Sequence, residues 1–131
     1  MAEISTRVLD LLERLVRDGW DFHYFGGKHR PRLLGAVRRW PEHADVVTIW
    51  ADGPGGASAH RARRETGWDP FEPGIVLWQY RSDPGATLSA TLALPPPSDA
   101  RAPACPFPAS PAYRAPAQLR CRPVTIRLGR R

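Results

Sequence analysis

Apolar and polar positions along the first eighteen residues repeat with the period of a helix. Ile4, Val8, Leu11, Leu12, Leu15 and Val16 fall on one side, and Arg7, Asp10, Glu13, Arg14 and Arg17 on the other. This spacing predicts an amphipathic helix over about 3–18. Gly19 follows Arg17 and Asp18 as a residue able to take the left-handed conformation that closes a helix.

From Trp20 onward the period becomes two. Trp20, Phe22 and Tyr24 alternate with Asp21 and His23 as far as Gly26-Gly27, the pattern of a half-buried strand. Leu33 to Trp40 is a second strand, ended by Pro41, and Asp45 to Trp50 a third. Apolar residues of the third fall on both sides, which places it centrally with both faces covered. Gly53-Pro54-Gly55-Gly56 stops it. Ala57 to Glu65 suits either a strand or a short helix and is read as a strand pairing with the others.

The stretch Gly67-Trp68-Asp69-Pro70-Phe71-Glu72-Pro73-Gly74 is a loop anchored by Trp68 and Phe71. Ile75 to Tyr80 is a further strand, rich in β-branched and aromatic residues. Asp83 as N-cap and Pro84 at the first helical position start a second helix over about 84–94. Pro95-Pro96-Pro97 ends it.

These elements predict an α+β domain over residues 1–95, a two-layer antiparallel sheet of four or five strands with two helices on one face. The other face needs a cover, from the tail, a second copy or another protein. Residues 96–131 form a Pro/Arg-rich C-terminal tail, read as extended or disordered, because nine prolines lie in the twenty-nine residues from Pro95 to Pro123. Pro123 to Leu128 can add a terminal strand to an edge.

Charge sharpens this division. Residues 1–95 hold twelve basic and twelve acidic side chains, whereas residues 96–131 hold seven arginines against Asp99, so the chain's net charge of +6 resides in the tail. An anionic partner such as nucleic acid is therefore met through the tail. Lys28 is the single lysine among nineteen basic residues. An excess of Arg, Ala, Pro and Gly matches the codon usage of a high-GC bacterial genome, so not every arginine is a binding residue. The N-terminus leads directly into a charged helix, and no run reaches the roughly 18 apolar residues of a membrane span. A small bacterial protein of the cytoplasm is the expectation. Cys105 and Cys121 have no histidine near them at zinc-ligand spacing, and no metal or cofactor is expected.

Candidate chemistry is sparse. Asp21 and His23, two apart on one strand, are the only local acid–histidine pair on a shared face, which makes them the weak candidates for catalysis. Gly26-Gly27-Lys28-His29-Arg30-Pro31-Arg32 brings exposed backbone N–H groups beside Lys28, His29, Arg30 and Arg32, an arrangement suited to a phosphate. With the tail residues Arg114, Arg120, Arg122, Arg127, Arg130 and Arg131, they form the anion-binding set. Arg61 and Arg63 share one side of their strand and are read as a solvated edge. Among five tryptophans, Trp68 in its loop, with Phe71, is the choice for contact with a partner.

The leading expectation is a non-enzymatic binding or regulatory module acting through protein–protein contact, with another protein or with itself. The alternative is a nucleic-acid-associated protein using its basic tail, and the third reading is a small enzyme built on Asp21 and His23.

Overall fold

The structure is a computed structural model describing residues 6–26, 32–50, 56–65, 67–110 and 124–127. In chain order its elements are α1 (Thr6–Arg17), β1 (Asp21–Phe25), β2 (Leu33–Arg39), β3 (His43–Trp50), β4 (Ala57–Arg63), β5 (Ile75–Val76), β6 (Trp78–Ser82), α2 (Pro84–Ala93), β7 (Phe107–Pro108) and β8 (Val124–Arg127). The predicted α+β class is observed.

Five strands of the body form an antiparallel sheet in the order β6-β4-β3-β2-β1, and β8 adds to the outer edge of β1. β5 and β7 make a separate two-stranded sheet. The predicted strand over 75–80 is thus divided. Leu77 donates its N–H to the Arg61 carbonyl, and β6 begins one residue later.

Register assigns the two faces. Phe22, Ala36, Val47 and Ala59 are cross-strand neighbours in one row. They pack with Leu15, Trp20 and Leu88, so this is the face that both helices cover. Gly19, at φ +84, turns the chain from α1 into β1. Its N–H reaches the Val16 carbonyl, and the Trp20 N–H reaches that of Leu15. That pair of bonds is a left-handed helix cap, and its apolar contact is made by Leu15 and Trp20, both buried.

α2 buries Gly85, Thr87, Leu88 and Thr91, a surface with little apolar bulk. It packs on β4, whose Ala57 and Ala59 are equally small, so the two backbones approach closely. The Thr87 hydroxyl uses that approach to donate to the Ala57 carbonyl at 3.3 Å. Asp83 caps the helix by accepting the Ala86 N–H at 2.8 Å.

The second sheet face is filled by this chain. Phe25, Leu33, Val37, Ala44 and Val46 pack against Phe71 of the β4–β5 connection, with Trp50 and Trp68 at the margin. β3 is therefore buried on both sides, as its pattern of apolar residues predicts, and the cover is its own loop.

Residues 96–110 follow the body closely. Pro95 accepts a hydrogen bond from Arg61, turns form at Pro96–Asp99 and Asp99–Ala102, and β7 then pairs with β5. Ala109 donates to the Gly74 carbonyl and Ser110 to the Gln79 side chain.

Candidate functional site

Three regions bring chemistry-bearing side chains together. The first is an ion pair on the helix-side face, where Arg38, Asp45, Arg61 and Trp78 occupy one cross-strand row. Arg61 is fully buried. Its Nε and NH2 donate to the two oxygens of Asp45 at 2.5 and 2.9 Å, and its NH1 donates to the Pro95 carbonyl at 2.7 Å. Trp40 Nε1 supplies Asp45 with a further donor at 3.0 Å, and the Arg38 guanidinium lies 4.1 Å from the Trp40 ring centroid. This fork geometry satisfies a charge that would otherwise be very costly to bury. The expectation of a solvated arginine edge is corrected here. β4 lies inside the sheet, so Arg61 is enclosed, and of the pair only Arg63 is exposed.

The second region lies under the covering connection. Asp21 and His23 do share a face, and both are buried there. Asp21 is held in an ion pair by Arg39. The His23 ring meets Phe71 edge-on, with centroids 5.2 Å apart. Neither residue lines either of the hollows described below. His60, on the same face, is also buried, and this desolvation lowers its pKa to about 4, although a hydrogen bond at the Pro70 backbone and the Asp45 charge oppose the shift. Since Pro70 has no N–H, the ring must donate to its carbonyl, which ties β4 to the connection. His60 Nε2 has no hydrogen-bond partner among the described residues.

The third region is a groove of about 540 Å³ where the connection rises from the sheet. Trp68, Pro73, Ile75, Leu77 and Pro106 supply apolar surface, and Arg63, Glu65, Asp69 and Glu72 supply charge. Ile75 is 59% exposed, the most exposed large hydrophobic side chain among the described residues. Trp68 is half-buried. A smaller hollow is lined by Glu42, His43, Arg63, Arg64 and Glu65, sharing Arg63 and Glu65 with the groove.

The structure treats the two aromatic residues of the 67–74 loop differently. Phe71 is 5% exposed and spent on the core, whereas Trp68 lines the groove. Sequence reasoning missed Ile75, because an apolar residue opening a β-branched run carries no sign that it faces solvent.

Of the anion-binding set, Arg32 is exposed and follows the β1–β2 turn, where its backbone N–H closes onto the Phe25 carbonyl at 2.8 Å. Lys28, His29 and Arg30 lie outside the described residues, as do Arg114, Arg120, Arg122, Arg130 and Arg131. Arg127 stands opposite Asp21 in the β1–β8 register. Cys105 is an exposed free thiol, and Cys121 lies outside the described residues. No group of side chains able to hold a metal ion is found among the described residues, and no helix there is long and apolar enough to cross a membrane.

Comparison of the chain with family models, with curated proteins and with solved structures finds no match in any of the three.

Proposed function

We propose that the chain is a non-enzymatic binding or regulatory module that works through contact with another protein, using the groove between Trp68 and Ile75. The observation carrying this reading is Ile75, a large apolar side chain left 59% exposed beside an indole and two prolines. Apolar side chains gathered in a concavity gain about 25 cal/mol for each Å² that a partner removes from water. A half-buried Trp is also a residue type on which binding energy concentrates.

The charge layout supports a second reading, nucleic-acid association through the tail. That mode predicts affinity that collapses with salt, because each phosphate contact releases counterions. Contact through the groove predicts persistence at moderate salt.

Affinity capture of the full-length chain from its native lysate, with and without nuclease, separates the two. The contact reading expects one protein at constant stoichiometry in both arms, lost on Ile75→Asp. Nucleic acid that disappears with nuclease, and is indifferent to Ile75→Asp, would replace it with the second reading.

A further inference from the structure

β1 has the composition of a strand that pairs readily. With the residue before it, it reads Trp20-Asp21-Phe22-His23-Tyr24-Phe25, four large aromatic side chains with no lysine, arginine or proline. Asp21, its one formal charge, is buried and neutralised by Arg39, so it does not repel a neighbouring strand. Edge strands of this kind template pairing with another chain unless charge, proline or a covering element blocks them.

The two sides of the main sheet are protected in different ways. β6, on one side, carries the exposed Arg81, accepts a hydrogen bond from Ser110 on its Gln79 side chain, and runs into the Asp83-Pro84 helix start. β1, on the other, is covered by β8, whose register sets Val124, Thr125, Ile126 and Arg127 opposite Tyr24, His23, Phe22 and Asp21. β8 is four residues long, follows Pro123 and ends on Arg127, a length and sequence that discourage a further strand from adding beyond it. Its main contact is β1 itself. A ladder of that length on one neighbour is a small contact, and short strands are only marginally held.

We infer that the outer edge of β1 is a strand-pairing surface for a second copy of this chain, and that β8 keeps it closed. A two-fold pairing through this edge runs the two β1 strands antiparallel. Aromatic residues of one then stand opposite aromatic residues of the other, and the two Asp21 carboxylates fall at opposite ends of the ladder. Nothing in the β1 sequence repels a copy, so β8 is the guard. Neither β1 nor β8 lines the groove, so this surface is separate from the one proposed above.

The test combines Thr125→Pro and Ile126→Pro in the full-length chain. Successive residues turn their N–H groups to opposite sides of a strand, so one of the two substitutions removes a donor to β1. Sedimentation velocity is read across a range of concentrations, beside thermal melts. The wild type should stay monomeric. The double variant should melt cooperatively and rise about twofold in mass as concentration increases. Added peptide Arg-Pro-Val-Thr-Ile-Arg-Leu should reverse the association, and the same peptide with Pro at its Thr and Ile positions should not. Tyr24→Lys in the double variant should restore the monomer, because lysine guards an edge strand. A double variant that stays monomeric, or that associates regardless of both the peptide and Tyr24→Lys, would overturn the inference. So would a wild type that associates equally, or loss of the cooperative melt, which would make β8 part of the core rather than a guard.

Discussion

The ring of Phe71 rests on the Cα of Gly35. A Cβ at Gly35 would come within 2.6 Å of Phe71 Cζ, overlap Cε1 as well, and lie 3.2 Å from the Phe25 ring. Phe25 and Phe71 meet edge-on at 4.9 Å between centroids, so the absent side chain is what lets the connection seat on the sheet.

Gly35→Ala should therefore destabilise the protein by about 1–3 kcal/mol, the range for overpacking a filled core. Phe71→Ala should cost about 3–5 kcal/mol through the cavity it leaves. The double variant should cost less than the sum, because removing the ring also removes the clash. Urea denaturation of the four proteins measures this coupling, and strict additivity would mean that the ring and Gly35 do not touch.

Arg61 and Asp45 should behave as a unit. Arg61→Met alone leaves the Asp45 carboxylate buried with Trp40 as its remaining side-chain donor among the described residues, and a loss of about 3–5 kcal/mol is expected. Arg61→Met combined with Asp45→Leu should recover most of it, since apolar groups of similar size are tolerated where an unpaired charge is not. Arg61→Lys should not substitute, having no second prong for the carboxylate. Thermal melts of the single and double variants provide the readout.

His60 predicts a particular pH dependence. Its folded pKa of about 4 lies below the ordinary 6.5, so the unfolded chain takes up the proton first as pH falls. This contribution is complete above about pH 6.5 and is lost between there and pH 4, amounting to roughly 3 kcal/mol over the full span. Denaturation midpoints of the wild type and His60→Gln, taken from pH 7.5 to 4, should diverge in that window. Parallel curves would show that His60 takes up its proton equally readily in the folded and unfolded chains.

Asp83 is the local test of the second helix. α2 depends on capping and packing more than on propensity, as Gly85, Thr87 and Thr91 are weak helix formers. Asp83→Ala should cost about 1 kcal/mol, measured by urea denaturation, while Asp83→Asn should be nearly neutral.

Both helices and β1 to β3 were legible from local patterns and stop signals, whereas β4 suited a strand or a short helix and was placed by its need for pairing, and the division of the 75–80 run into β5 and β6 was not visible. The 3.6 spacing ends at Gly19, the alternation begins at Trp20, and the Asp83-Pro84 start signal needs no tertiary information. What covers the second sheet face was not legible. Trp68 and Phe71 look alike in sequence, and only the vacancy at Gly35, two strands away from β4, decides which of them is core. Arg61 was misread for the same reason, since its partner Asp45 is fixed by register rather than by spacing along the chain. The groove rests on the exposure of Ile75, which appears only once β5 has paired with β7 and turned away from the main sheet.

The most direct measurement of the contact reading is site-specific photo-crosslinking. A photoreactive side chain is placed at position 75, or at position 13 on α1 as a control, in the full-length chain in its native lysate. The account predicts one dominant protein adduct from position 75, unaffected by nuclease, suppressed by Trp68→Ala and absent from position 13. Adducts identical at the two positions, or an adduct formed only with nucleic acid, would contradict it.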